Sequence, residues 1–298
     1  MQQDSRSSTS TVKIDETRTD ETLADPFLPE LYRVVRAATE IPDVVTIDIV
    51  PIAGQRAAFA AGQFNMLYVF GVGEVAISMS GDPADMSRHV HTIRDVGMVS
   101  GALTRLKEGD VLGVRGPFGT GWPVLEAEGL DVVMVSSGCG LAPLRPAIYH
   151  VLNNRERYGR VSILLGFHSP EDLLYRQEFE HWRQRLDIDL LVTVNHADRS
   201  WRGNVGGVQV QGFIKRGNFD PKETLAMVCG PEGKMRYMAN SLRDAGVPEE
   251  RIYFSMERNM KCAMGICGRC QFGPEFTCKD GPVLRFDRIS RILAVREI

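Results

Sequence analysis

Four of the chain's six cysteines, Cys262, Cys267, Cys270 and Cys278, fall within seventeen residues near its end, in KCAMGICGRCQFGPEFTC. Their spacing is C-x4-C-x2-C-x7-C. The first three positions match the plant-type spacing of a [2Fe–2S] cluster, whose fourth ligand lies farther on. Gly265 and Gly268 allow backbone turns that other residues resist, and such turns leave amides free to point at sulfur. A zinc knuckle and buried free cysteines are the competing readings. Zinc usually takes paired C-x2-C or Cys/His sets. This stretch has one C-x2-C and no nearby His, which favours iron–sulfur. Such a cluster with four thiolates carries a charge of about −2. Residues 258–298 hold eight bases against four acids. That excess fits the cluster charge and equally fits a docking face.

A second group of residues suits a nucleotide. In VVMVSSGCGLAPLRP an apolar run enters Gly138 and Gly140, and a helix is expected to start near Ala142. Pro143 suits a first helical turn, where its missing N–H costs nothing. A helix N-terminus offers free N–H groups and partial positive charge to a pyrophosphate. G-x-G-x-x-G is absent, so the residues fit an ordinary tight βα turn equally well. MVCGPEGKM repeats the pattern at Cys229, Gly230 and Pro231. In a parallel sheet both turns would share the carboxyl edge where ligands gather. A lone Cys at a strand end, such as Cys229, is more often simply buried.

EVAISMS and HTIRDVGMVSGAL are less distinctive. Ser78 and Ser80 share a strand face, where hydroxyls could meet a ligand ring. Arg94 and the Gly97–Ser100 turn could hold a phosphate. A barrel strand and a connecting helix explain the same residues. His89 and His91 lack a third metal ligand and are expected in a solvated loop.

These residues need elements to position them. Residues 31–125 carry short alternating runs such as DVVTIDIV, split by turns at Gly71–Gly73 and Gly109-Asp110 and by a Gly-Pro break. That texture predicts a barrel or sandwich. From about residue 129, apolar runs (LDVVMVSS, RVSILLGF, DIDLLVTV, TLAMVC, RIYFSM) alternate with amphipathic helices, which predicts a doubly wound parallel sheet. The expected domains are a disordered tail (1–29), a barrel (30–127), an α/β domain (128–257) and a small cysteine lobe with little periodicity (258–298).

The chain has 298 residues, 43% hydrophobic and 24% charged, with net charge −3. This excludes a broad nucleic-acid or membrane-surface signature. No run reaches the roughly 18 apolar residues of a membrane span. The first residues, MQQDSRSSTSTVKIDETRTDET, have no apolar core or cleavage site, so they do not read as a secretory signal. A cytoplasmic location is expected, where clustered cysteines mean metal or redox work.

Taken together, the barrel texture, GCGLAP and CGP resemble the ferredoxin–NADP reductase superfamily. ERNMKCAMGICGRCQFG, FTCKDGP, FGVGEVAIS, SPEDLLYRQEF and VPEERIYFSM narrow the resemblance. Over about residues 30–287 the chain is similar to the FAD-, NAD(P)- and [2Fe–2S]-binding gamma subunits of cytoplasmic [NiFe] hydrogenases of the sulfhydrogenase type. The resemblance implies an antiparallel FAD-binding β-barrel, a doubly wound NAD(P) domain and a C-terminal cluster lobe. It places flavin against Ala76, Ile77 and Ser78, with its ribityl and phosphate parts at Thr92, Ile93, Arg94, Val99 and Ser100. NAD(P)H falls over Gly138, Gly140, Ala142 and Pro143, with Cys229, Gly230 and Pro231 near the nicotinamide. The four cysteines hold the cluster, and no side-chain acid or base is required. The implied partners are the hydrogenase large and small subunits and an iron–sulfur subunit. The same layout serves dihydroorotate dehydrogenase and anaerobic sulfite reductase. A zinc-bearing nucleotide sensor or scaffold is the non-enzymatic alternative. The chain departs from the superfamily pattern at Val75-Ala76, where Arg and Pro are usual, at Ser137-Gly138 for Gly-Gly, and at His168, where NADP users often carry Arg.

Overall fold

In a computed structural model, residues 25–207, 213, 219–293 and 295 are described. The expected tail lies outside the described residues as far as residue 24.

Strands β1 (Glu30–Ile41), β2 (Val44–Pro51), β3 (Phe64–Val69), β4 (Gly73–Ser78), β5 (His89–Arg94) and β6 (Val111–Phe118) form a six-stranded antiparallel sheet in the order β4-β3-β6-β1-β2-β5. Its core comes from alternate residues such as Tyr32, Val34, Ile47, Ile49 and Leu112. A bridge between Met79 and His91 joins the two outer strands and closes the sheet into a barrel. Helix α1 (Met98–Thr104) lies against β4, where Val99 Cγ2 would meet a Cβ on Gly73 at 3.3 Å.

The Gly-Pro break expected in β6 does not occur, because the strand runs through to Phe118. The pairing shifts there, three steps of β6 (Arg115 to Phe118) facing two of β3 (Phe64 to Met66), and this bulge accommodates the proline, which has no N–H to donate. Gly116 is required there: its φ is +130°, and a Cβ would lie 2.5 Å from Asn65 Oδ1.

His89 and His91 are not in a solvated loop. Both lie in β5, 1% and 0% exposed. Asn65 Nδ2 donates to His89 Nδ1 and His91 Nε2, both at 3.2 Å. The other ring nitrogens donate to the Ala57 carbonyl (2.9 Å) and the Ser78 carbonyl (3.0 Å), which fixes two neutral tautomers. Burial lowers the pKa of His89 to about 4 and that of His91 to about 3. Both folded values lie below the unfolded value of about 6.5, so the native state binds fewer protons. The stability contributed by this pair is complete above pH 6.5 and falls as pH drops through 4 and 3. Urea midpoints should therefore decline between pH 6.5 and 5, above the range of most carboxylates. A His89→Gln/His91→Gln double variant should flatten that slope.

The second sheet has seven strands: β7 (Asp131–Ser137), β8 (Val161–Phe167), β9 (Asp189–Val194), β10 (Asn204–Val205), β11 (Thr224–Cys229), β12 (Ile252–Ser255) and β15 (Val283–Arg285). A small hairpin of β13 (Gln271–Phe272) and β14 (Glu275–Phe276) stands apart. The order is β10-β9-β8-β7-β11-β12-β15, parallel except at β15. Strands covered on both faces need unbroken apolar runs. Ile163, Leu164 and Leu165 are fully buried. Burying each such side chain contributes about 1.5–3 kcal/mol.

Helices α2 (Leu141–Asn153), α3 (Arg176–Arg183), α4 (Glu232–Asp244) and α5 (Phe286–Leu293) cover this sheet and its end. The cysteine lobe is more regular than its sequence suggests. Its strand β15 extends the sheet, with Ser255 opposite Val283 and Tyr253 opposite Arg285. In α5, Phe286, Ile289 and Leu293 bury one face at helical spacing. No helix among the described residues is long and apolar enough to cross a membrane.

Candidate functional site

The sheet order reverses between β7 and β11, which pair directly along six residues. Open α/β sheets bind ligands outside the strand ends at such a switch point. Both glycine turns stand there. Gly138–Gly140 forms one short 3-10 turn before α2, and Gly230-Pro231 leads into α4. The turns are in contact: a Cβ on Gly140 would lie 2.5 Å from the Cys229 carbonyl oxygen. Lys234 Nζ donates to Ser137 Oγ at 3.0 Å and ties the first turn of α4 to the end of β7. Gly138 adopts φ +57° with open space beside it. Ala142 and Pro143 are buried, so they shape the helix start. The Pro143 carbonyl accepts a 2.8 Å bond from Trp122 Nε1. Burial pushes the Cys229 thiol far up, which keeps it protonated.

The proposed flavin residues lie on the closed seam of the barrel. Ala76, Ile77 and Ser78 are half-buried at the end of β4. Ser80, two residues on, is placed differently from Ser78. It is fully buried, and its hydroxyl meets the Val90 carbonyl and Thr92 Oγ1. Ile93 is 1% exposed and belongs to the barrel core. Arg94 is exposed, and its Nε donates to Asp43 Oδ2 at 2.7 Å. Val99 is half-buried in α1. Ser100 Oγ accepts from the amides of Val96 (3.2 Å) and Gly97 (2.9 Å), so it shapes the loop.

Thr92 is a hub that the sequence does not disclose. Its Oγ1 lies 2.9 Å from Thr46 Oγ1, 3.0 Å from Ser80 Oγ and 2.7 Å from the Tyr175 hydroxyl. Tyr175 precedes α3 in a left-handed conformation (φ +54°), which is costly for a bulky residue. Its amide donates to Glu40 on β1. Arg145 of α2 stacks on its ring at 3.9 Å and pairs with Glu178 at 3.4 Å. This chain of contacts joins the barrel to the parallel sheet. Tyr175→Phe should lower stability by about 1 kcal/mol, the worth of one hydrogen bond, read as thermal unfolding of the flavin-loaded protein. Cys139, also missed from sequence, is half-buried beside Arg94. It lies where the nucleotide turn faces β5.

None of the four clustered cysteines forms a disulfide, and backbone amides point at three of their sulfurs. Cys262 Sγ accepts from the amides of Ile266 (3.3 Å), Met264 (3.4 Å) and Cys267 (3.4 Å). Gly265 N donates to Cys278 Sγ at 3.1 Å, and Cys278 N to Cys270 Sγ at 3.4 Å. Ala263, Gly265 and Gly268 all take positive φ, near +64°, +73° and +72°, which turns these amides inward. Burial opposes ionisation of Cys262, but the three amides and the Cys267 side chain outweigh it and bring the thiol down to about 6. Burial and the Cys270 sulfur push Cys278 up to about 12.

The Cys267 side chain acts on Cys262, and both Cys270 and Cys262 act on Cys278, so the sulfurs share one neighbourhood. Among the described residues, no group of three or more His, Cys, Asp or Glu is gathered to hold one metal ion. Four cysteines in one loop with amides aimed at three of the sulfurs fit a two-iron group better than a zinc site built from paired C-x2-C or Cys/His sets. Cys262, Cys270 and Cys278 are buried, whereas Cys267 is exposed.

Residues 134–240 match the oxidoreductase NAD-binding domain family, and residues 257–290 match the iron–sulfur cluster binding domain of dihydroorotate dehydrogenase B. Sulfhydrogenase 1 subunit gamma of Pyrococcus furiosus is 35% identical over 247 residues, 80% of this chain and 84% of that protein. The probable dihydroorotate dehydrogenase B (NAD(+)) electron transfer subunit of Methanocella arvoryzae is 32% identical over 233 residues, 77% of this chain and 81% of that protein. The solved structure of an NADH-dependent reduced ferredoxin-NADP oxidoreductase superposes with a TM-score of 0.69 at 25% identity, covering 91% of this chain and 94% of that one. With a closed antiparallel barrel, a switch-point crevice and an amide-lined cysteine loop on one chain, this protein belongs to the family of sulfhydrogenase gamma subunits within the ferredoxin–NADP reductase superfamily.

Proposed function

We propose that this chain exchanges a hydride between NAD(P)H and FAD, and single electrons through a [2Fe–2S] cluster with a partner [NiFe] hydrogenase in the cytoplasm. When bound, the flavin supplies the conversion between electron pairs and single electrons, and the cluster supplies the one-electron relay. The carrying observation is shared packing. Cys270, Cys278, Ala263 and Met260 form one apolar cluster with Phe64 and Met66 of β3, and Ala76 of β4 packs against it. The cysteine loop thus rests on the strand pair assigned to the flavin.

In this reading Ala76, Ile77 and Ser78 hold the isoalloxazine ring at the seam. Arg94, held by Asp43, faces the flavin phosphates, and Thr92, Ile93, Val99 and Ser100 shape their path. Gly138 and Gly140 admit the pyrophosphate of NAD(P)H, and Gly230-Pro231 borders the nicotinamide. The protonated Cys229 thiol packs beside the nicotinamide without acting as a nucleophile. Residues 30–127, 128–257 and 258–298 are the three functional units. A cluster potential near about −400 mV suits a low-potential partner.

Purification of the native complex tests this reading. The expected result is a hetero-oligomer containing nickel, flavin and iron, in which NAD(P)H bleaches the flavin. A partner with FMN and no nickel would reject the hydrogenase assignment. It would favour the dihydroorotate dehydrogenase reading, which the match at residues 257–290 supports. Zinc without flavin absorbance would reject electron transfer altogether.

A further inference from the structure

Arg115 lies on β6 and is 6% exposed, and its hydrogen bonds go to groups other than the proposed flavin residues and the cysteine sulfurs. All five of its N–H donors are used. Nε and Nη2 bond Glu74 Oε1 and Oε2 at 2.8 and 2.7 Å, a bidentate fork. The remaining Nη2 hydrogen goes to the Lys261 carbonyl at 3.1 Å. Nη1 reaches the Cys262 carbonyl at 3.2 Å and the Pro26 carbonyl at 3.1 Å. The guanidinium also stands 5.7 Å from the Phe118 ring centre. One side chain therefore binds the barrel strand carrying the proposed flavin residues, the segment leading into the barrel, and the two residues that open the cysteine loop.

A buried arginine is costly unless every donor is matched. Here the match is complete, and two of the acceptors belong to the loop whose sulfurs must be placed. Cys262 is also the sulfur that collects the most amide bonds. We propose that Arg115 is a positioning residue for the iron–sulfur site. It locks the cysteine loop onto the flavin strand pair and sets positive charge against the Cys262 carbonyl, with Glu74 as its counter-charge. The proposal rests on the reading that the four cysteines hold a cluster.

Arg115→Gln and Glu74→Gln break the same ion pair but remove opposite charges. Positive charge near a cluster favours its reduced form, and negative charge disfavours it. In the full chain, redox titration followed by electron paramagnetic resonance should show a more negative cluster midpoint in Arg115→Gln and a less negative one in Glu74→Gln. Arg115→Lys keeps the charge but not the five-donor fork, so its midpoint should stay near wild type. Cluster reduction after mixing with NAD(P)H should slow about 10–100-fold in Arg115→Gln and Arg115→Lys, as with other residues that orient metal ligands. Flavin reduction should be unchanged in both.

Midpoints that move in the same direction in Arg115→Gln and Glu74→Gln, or do not move, would overturn the proposal and leave Arg115 as a structural clamp. Unchanged cluster-reduction rates in a soluble Arg115→Lys would overturn the positioning role. Wild-type protein carrying no iron and sulfide would overturn the cluster reading itself and the proposal with it, so the two failures are distinguishable.

Discussion

Cys270→Ser is expected to end electron transfer beyond the flavin while leaving flavin reduction by NAD(P)H at its wild-type rate. Cys270 is 2% exposed, its sulfur accepts the Cys278 amide, and it packs against Phe64 and Met66. A serine oxygen fits the space but is a harder and poorer iron ligand than a thiolate. Losing one of the three buried sulfurs would leave the four-cysteine set one thiolate short of what a [2Fe–2S] cluster takes. The proposed flavin residues lie on β4, β5 and α1, outside the cysteine loop, so hydride exchange should not depend on the cluster. Iron and sulfide analysis should show cluster loss. Stopped-flow bleaching of the flavin should be unchanged, and reduction of the partner should fall to background. If flavin reduction is lost in folded Cys270→Ser protein, the proposed order of the carriers is wrong.

The second large effect is at the switch point. Gly140→Ala would place a methyl group 2.5 Å from the Cys229 carbonyl oxygen and 2.6 Å from both Cys229 C and Gly230 N. All three are backbone atoms, so no rotamer change relieves the contact. The turns after β7 and β11 must separate, which widens the crevice where NAD(P)H is proposed to bind. Overpacking of this kind costs about 1–3 kcal/mol. The KM for NAD(P)H should rise by an order of magnitude or so, since about 1.4 kcal/mol is tenfold in affinity. Flavin and iron content should not change. Gly138→Ala is the control: it meets no atom within 4 Å, and its cost is the left-handed backbone alone, about 1–2 kcal/mol. A Gly140→Ala enzyme with wild-type KM would show that the contact between the turns does not shape the nucleotide crevice.

How far the sequence announces this arrangement depends on the range of each interaction. The cysteine loop was legible because its spacing is local: x4 and x2 set how three sulfurs can converge, and Gly265 and Gly268 mark the turns. The parallel strands were legible because burial on both faces demands apolar runs such as VSILLGF. The two glycine turns could be placed on one edge because a parallel sheet leaves no other place for them. The misses are long-range. His89 and His91 alternate with apolar residues in β5, but their partners Asn65, Ala57 and Ser78 come from three other segments, so a polar loop was the simpler expectation. The contacts of Thr92 with Thr46, Ser80 and Tyr175 are equally long-range and leave no local mark. Arg115 reads as an ordinary strand residue before Gly-Pro, and its acceptors lie up to 147 residues away. Strand β15 is three residues long and becomes a strand only because β12 offers it an edge. The exact hold on the flavin was least legible, since Val75-Ala76 replaces the usual Arg and Pro, and no local pattern names the substitute.

The pairing of β15 with β12 has a consequence for how the protein is made. Synthesis runs from the N-terminus, so the parallel strands emerge well before residues 283–285. Until those residues leave the ribosome, β12 stands as an uncovered edge, and open edges invite pairing with other chains. The same last segment follows directly on the fourth cysteine. Covering the edge and completing the cysteine set therefore fall at the same late moment of translation. A nascent chain stalled before residue 278 would lack both, so a check for an exposed strand edge would also catch chains short of the fourth cysteine.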